Sequence, residues 1–349
     1  MAKKTNTSHL SLGQEHPSVT LFRQYLRIRT VQPDPDYDAA IQFLEKMAGE
    51  LELQCQKVEV APGRVVTILT WPGTDPKLRS IVLNSHTDVV PVFEEHWSHN
   101  PFEAFKDARG NIYARGTQDM KCVSIQYIEA IRKLKAEGRR FPRTIHMTFV
   151  PDEEVGGHRG MELFVQRPEF RALRPGFALD EGLANPTDTF TVFYSERSPW
   201  WIRVKSSGKP GHGSRFIEDT AGEKLAFEEQ LRGWCQAAGD GVTYEFHQKW
   251  TEPRMTATDT SDPWWAAFSG ACSDMNMTLK PEIFPAATDS RYLRAKGVPA
   301  LGFSPMNQTP ILLHDHNEFL NEAVFLRGID IYTRLLPALA SVPALSADS

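Results

Sequence analysis

Residues 144–157 read TIHMTFVPDEEVGG, and the fold turns on them. An apolar stretch with the look of a buried strand leads at once into Asp152, Glu153 and Glu154, then two glycines. Three adjacent carboxylates repel one another, and no Lys or Arg stands among them. As a solvated turn the stretch is ordinary, since acids and Gly are common in loops. As the carboxyl end of a strand in an α/β sheet, it lies where such folds gather their chemistry.

The neighbouring sequence repeats the pattern. SIVLNSH (80–86), TIHMTFV (144–150) and GFALDEG (176–182) are near-continuous apolar runs ending in polar residues, the mark of strands covered on both faces. Between them, MKCVSIQYIEAIRKLKAEG (120–138) and MELFVQRPEF (161–170) carry helical spacing. Strands alternating with helices predict an α/β fold, a mostly parallel sheet covered by helices on both faces. The rhythm changes after residue 188. TFTVFYSERSPWWIRVKSS (189–207) reads as two strands around a turn, TAGEKLAFEEQLRGWCQAAG (220–239) as a helix and VTYEFHQKW (242–250) as a strand. The α/β rhythm resumes near residue 261. The expected organisation is a catalytic domain of residues 1–188 and 261–349, interrupted by a smaller α+β module of residues 189–260.

Bulk properties narrow the function. The chain has 349 residues, 41% of them hydrophobic, and a net charge of −5. No basic cluster is dense enough to predict a nucleic-acid partner, and no apolar run reaches the roughly 20 residues of a membrane span. The polar N-terminal stretch and four scattered cysteines without a C-x-x-C pair predict reduced thiols and a cytoplasmic location.

Chemistry-bearing residues stand at the strand ends. NSHTDVV places His86 and Asp88 two apart; Asp119 directly precedes a predicted helix. Glu153 and Glu154 follow the second of these buried strands, Asp180 and Glu181 end the third, and LLHDHNE brings His314, His316 and Glu318. Each piece alone has a plain alternative: a structural H-x-D, a helix cap at Asp180–Glu181, a surface loop at HDHNE. Together, histidines and carboxylates at successive ends of a parallel sheet can converge on one point, and they suit two zinc ions with one shared carboxylate. Metal would then supply the positive charge that the acids lack.

SHTDVVP, YARGTQDMKC, PDEEVGG, LDEG, PGHGSR and HDHNE resemble, in this order, the motifs of the zinc aminoacylase and carboxypeptidase family. The resemblance covers nearly the whole chain. It implies cleavage of the amide of N-acyl-L-amino acids and two zinc ions per chain. His86, Asp119 and Glu181 would hold one ion, and Asp119, Glu154 and His314 the other. Asp88 would orient His86 through its free ring nitrogen, and Glu153 would act as general base. His212 would stabilise the oxyanion, reaching across to a neighbouring subunit's site in a homodimer; its alternative is a turn histidine between glycines. Arg291 and Arg294 are candidates for gripping a substrate carboxylate, with a structural ion pair as the alternative.

One departure from the family stands out. The inserted module lacks the strand pair expected between its two helices, so that EDTAGEKL (218–225) runs directly into AFEEQLRGWCQAAG (226–239). The expectation is therefore a shortened lid, an intact metal-ligand set and weakened dimerisation. A dipeptidase or carboxypeptidase of the same family, or a catalytically weak form acting only by binding, are the competing functions.

Overall fold

The computed structural model describes residues 15–197, 200–206, 228–237, 239–240, 242–249 and 254–348. It divides into two compact units, residues 1–196 with 254–349, and residues 197–253.

The larger unit is built on eight strands. In chain order these are β1 (Gln54–Ala61), β2 (Arg64–Trp71), β3 (Ser80–His86), β6 (Ile145–Val150), β7 (Pro175–Asp180), β8 (Phe190–Glu196), β11 (Leu279–Phe284) and β12 (Ala300–Gly302). Strands β4 (Phe105–Lys106), β5 (Asn111–Tyr113) and β13 (Phe319–Asn321) form a small separate sheet. The order across the large sheet is β1-β2-β6-β3-β7-β12-β8-β11. Its centre, β6-β3-β7-β12, is parallel throughout, while β2 pairs antiparallel with both β1 and β6. The carboxyl ends of β6, β3 and β7 therefore lie side by side.

Alternation along the strands divides the core. Ile81 and Leu83 of β3, Phe177 and Leu179 of β7, and Met147 and Phe149 of β6 join one buried cluster. That cluster includes buried residues of α1 (Pro17–Leu26), α2 (Tyr37–Glu50), α3 (Lys121–Ala136), α7 (Pro263–Asp274) and α9 (Glu322–Ala340). Period-2 geometry turns Val82 and Ala178 to the other face. There, buried residues come from α4 (Met161–Phe164), α5 (Pro168–Ala172) and α8 (Ser290–Ala295), among them Phe164, Phe170 and Leu293. Helices thus cover both faces, as the sequence predicts. The expected single helix at 161–170 is two, parted where Pro168 begins α5. Pro disfavours a helical conformation in the residue before it, and Arg167 is extended there.

The two strands read in residues 189–207 do not pair with each other. β8 belongs to the large sheet, parallel to β11, whereas β9 (Trp200–Ser206) pairs antiparallel with β10 (Val242–Lys249) in the smaller unit. The boundary accordingly falls at Glu196–Arg197, and the return at Pro253–Arg254, each some residues inside the expected 189–260. The reason is visible in β8: six of its seven residues are buried, the profile of a sheet interior. Besides β9 and β10, the smaller unit's described residues contain α6 (Glu228–Ala237). The Leu225–Ala226 junction lies outside the described residues.

The end of β8 is locked to α8. Arg294 donates to Glu196 at 2.7 Å, with both side chains under a tenth exposed, and its remaining donors reach the carbonyls of Ala300 and Phe193. Removing one partner of such a pair leaves a buried charge uncompensated, a loss of about 3–5 kcal/mol. Arg294→Ala should lower unfolding stability by that amount, measured by denaturant titration. A loss under about 1 kcal/mol would show the pair to be solvated and inessential.

Candidate active site

Five side chains named from sequence meet above the carboxyl ends of β3, β6 and β7. His86 closes β3, Glu154 follows β6, Glu181 follows β7, Asp119 precedes α3, and His314 lies on the loop before β13. Ligand atoms of His86, Asp119 and Glu181 lie within 4.8 Å of one another, and so do those of Asp119, Glu154 and His314. Asp119 is common to both groups, one carboxylate oxygen toward each side: Oδ1 is 2.9 Å from His86 Nε2 and Oδ2 is 3.1 Å from His314 Nε2.

The surrounding structure holds this geometry. The Asp88 carboxylate accepts from the amide N–H of both Glu153 and Glu154 at 3.2 Å, and from the Gln32 amide at 2.8 Å. The predicted tie between Asp88 and His86 runs through backbone instead: His86 Nδ1 is 2.8 Å from the Asp88 carbonyl and 3.7 Å from its carboxylate. Asp88 therefore fixes the acidic turn directly and His86 by its main chain.

Glu318, read as a possible ligand in HDHNE, serves as an anchor. Its carboxylate accepts from Arg115 at 2.9 Å, from Thr117, and from the N–H groups of Gly116 and Gln118 at 3.1 and 2.6 Å. It joins the loop bearing His314 to the loop bearing Asp119. His316 stands nearby without joining either ligand group.

The acidic turn is also held from below. Asp152 adopts a left-handed conformation, φ 62°. Its side chain accepts from Arg64 at 2.6 Å and from the Tyr37 hydroxyl at 2.7 Å. The absence of a cation among these acids is thus true of the sequence and not of the fold, where β2 delivers Arg64 to the first of them. Gly157, φ +67°, has no room for a side chain: a Cβ there would stand 2.7 Å from Asp289 Oδ1 and 2.9 Å from the Tyr292 ring.

For Arg294 the structure shows the alternative named from sequence, a structural ion pair, and for Arg291 it shows partly internal bonding. Both are 4% exposed. Arg291 donates to the carbonyls of Gly156 and Thr288, and so supports the acidic turn from α8. Arg294 binds Glu196 as described. The Arg294 guanidinium is closed in by internal acceptors, whereas Arg291 keeps its Nε buried without a hydrogen-bond partner among the described residues. His212 lies outside the described residues.

Electrostatics shows what the cluster demands. Burial raises the Glu153 and Glu181 carboxyls well above their usual range, and raises Glu154 to about 7. Burial opposes ionisation of Asp119 too, yet hydrogen bonds from His314 and His86 hold it well below the carboxylate range. His314 is raised to about 10 by its bonds to Asp119 and Glu154. Although burial works against it, His86 is likewise raised by the Glu181 charge and the Asp119 bond. Protons and histidinium charge balance the acids. Glu154 Oε1 is buried without a hydrogen-bond partner. A donor set of two histidines and three carboxylates, with one orphaned carboxylate oxygen, fits a pair of divalent cations.

Cation binding must therefore displace protons from His86, His314 and Glu154, all of them raised. Apparent metal affinity should rise with pH, at least about tenfold per unit between pH 6 and 8. Titrating metal into protein in buffers of different ionisation enthalpy measures the released protons; uptake without proton release would contradict this electrostatic picture.

Residues 82–338 match the family model Peptidase family M20/M25/M40. The chain is 66% identical to human Aminoacylase-1, covering 96% of this chain and 98% of that one. That alignment extends over 401 residues, more than the 349 here, so the relative carries residues with no counterpart in this chain. Among solved structures, an M20 family metallo-carboxypeptidase from Sulfolobus solfataricus superposes with a TM-score of 0.75 at 12% identity, covering 93% of this chain and 100% of that one. A Bacillus subtilis protein described as a dinuclear metal binding peptidase of the M20 family gives 0.61 at 13% identity, covering 93% and 96%.

Proposed function

We propose that this chain, which belongs to peptidase family M20/M25/M40, hydrolyses the amide of N-acyl-L-amino acids with the help of two zinc ions. The observation that carries the proposal is the shared Asp119 between two three-residue ligand groups, with Glu153 beside them. Similarity to aminoacylases, at 66% identity, sets the substrate class above the dipeptides and peptides of more distant family members.

His86, Asp119 and Glu181 are assigned to one ion, and Asp119, Glu154 and His314 to the other. Bound there, metal would polarise the amide carbonyl and acidify the attacking water. The chain's own residues do the rest. Glu153 and Glu154 leave the strand as neighbours, so the amide bonds from Asp88 that place one also place the other. Glu153 takes the proton of the attacking water and returns it to the leaving amine. Burial raises its pKa well above the usual carboxylate range, the direction that helps it hold the proton between the two transfers. His212, by its likeness to the family motif, is assigned to the developing oxyanion.

The residues that the relatives carry and this chain lacks are assigned to the smaller unit, at Leu225–Ala226. On that assignment the catalytic unit keeps its metal ligands and the lid is short, which weakens pairing into a homodimer. Four free cysteines agree with a reducing, cytoplasmic setting. Among the described residues no helix is long and apolar enough to cross a membrane.

Turnover of N-acetyl-methionine by purified protein, with zinc measured on the same sample, tests the whole reading; zinc-loaded protein without turnover would leave only a binding role. Asp119→Ala should release both ions, falling from close to two per chain toward none, because one carboxylate serves both groups. Full zinc retention by this variant, read by elemental analysis after dialysis, would refute the ligand assignment.

A further inference from the structure

At the amino ends of the strands, away from the metal-ligand cluster, lies a cleft of about 580 Å³. Arg79, which directly precedes β3, meets Arg171 and Arg174 from the segment entering β7, and Lys296 from the turn before β12. Four cations thus arrive from three separate stretches of chain. Among the described residues no acidic side chain lines the cleft. Phe170 and Val298 supply apolar wall. The strand β7 separates this cleft from Glu181: six residues, or about 17 Å of extended chain.

The charges are not neutralised internally. Neither the Arg79 guanidinium nor the Lys296 ammonium has a hydrogen-bond or ion-pair partner among the described residues. Arg174 donates to the backbone carbonyls of Pro76 and Asp348, which leaves its charge uncompensated. Asp348, next to the lining residue Ala347, is engaged elsewhere. Both of its oxygens are held by the buried Arg143 fork at 2.9 and 2.8 Å, and Oδ1 also accepts from the Arg79 N–H. In a chain of net charge −5, a concave surface with four cations and no acid is an exception that self-repulsion disfavours.

We propose that this cleft binds a small phosphorylated organic molecule carrying at least two phosphate groups. Guanidinium forks suit phosphate oxygens in bidentate contact, and the ammonium adds a point charge. The volume lies within the range of small-molecule sites, roughly 300–1,000 Å³. The apolar wall faces the carbon body between the phosphates. A soluble metabolite and a phosphoinositide headgroup share this chemistry; the concave shape favours the soluble form.

The probe is fructose 1,6-bisphosphate, titrated calorimetrically into the metal-loaded full chain, with fructose as the uncharged control. Saturable binding at one site per chain is expected, none with fructose, and unchanged metal content afterwards. Arg79→Gln with Lys296→Gln should weaken binding about a hundredfold, since each charged hydrogen bond is worth about tenfold. Lys296→Glu alone, at an exposed position, should weaken it in the same direction without altering thermal unfolding of the ligand-free protein. Absent binding, or equal binding by wild type and the double variant, would overturn the proposal. So would co-sedimentation with phosphatidylcholine vesicles containing phosphatidylinositol 4,5-bisphosphate, lost in the double variant, if the soluble bisphosphate does not bind. None of these readouts depends on amide hydrolysis, so they stand or fall separately from the proposed activity.

Discussion

Glu153→Gln is expected to reduce turnover of N-acetyl-methionine by about a thousandfold, within the 10²–10⁴ that positioned acid–base groups contribute, and to leave zinc content unchanged. The substitution keeps size and shape while removing the proton acceptor. Glu153 belongs to neither ligand group, whereas its neighbour Glu154 places an oxygen in one group with Asp119 and His314. The Asp88 carboxylate holds the main-chain N–H of both, so the backbone of the turn survives either replacement. Glu154→Gln should behave differently: metal is lost first, and turnover returns in part when excess zinc is added. Steady-state kinetics and zinc analysis on both variants separate the roles. Equal metal loss in the two, or zinc rescue of Glu153→Gln, would remove the distinction between base and ligand.

The same neighbours show what the sequence made legible. Buried strands announce themselves as continuous apolar runs, and polar residues just past them occupy the one sheet edge where chemistry collects. His86, Glu154 and Glu181 stood out as candidates for that reason, Asp119 from its place before a helix and His314 from HDHNE, and the fold brings the five together. Their supports did not stand out. Arg64 reaches Asp152 across 88 positions of sequence, and Glu318 reaches Arg115 across 203. No periodicity encodes such long-range pairs; only the fold brings them together. Arg291 and Arg294 stood open between two readings for a related reason. Arg is a good carboxylate fork in any context, and burial by α8 decides that these two serve internal acceptors. The β8–β9 boundary was misread because two adjacent strands in sequence usually pair in space, and here each finds its partner in a different sheet.

Restoring a full-length lid between Leu225 and Ala226 is expected to raise turnover at least about a hundredfold over the 349-residue chain. The metal-ligand groups lie wholly within the larger unit, so zinc binding should be the same in both forms. What differs is the transition state. A single oxyanion donor is worth on the order of 10²–10³ in turnover, and contacts to the substrate carboxylate add binding that is felt in the transition state. Arg294 is closed in by internal partners and does not replace those contacts from the catalytic unit. The 401-residue alignment with a 349-residue chain shows that the aminoacylase relative carries more sequence, and the prediction rests on the proposed assignment of those residues to the lid. A lid that lacks a strand pair also offers an incomplete edge for pairing between subunits. The restored chain should therefore sediment as a dimer where the short one is mainly monomeric. Equal turnover and equal mass for the two forms would show that the short lid performs both tasks, and the missing segment would then be dispensable for catalysis and assembly alike.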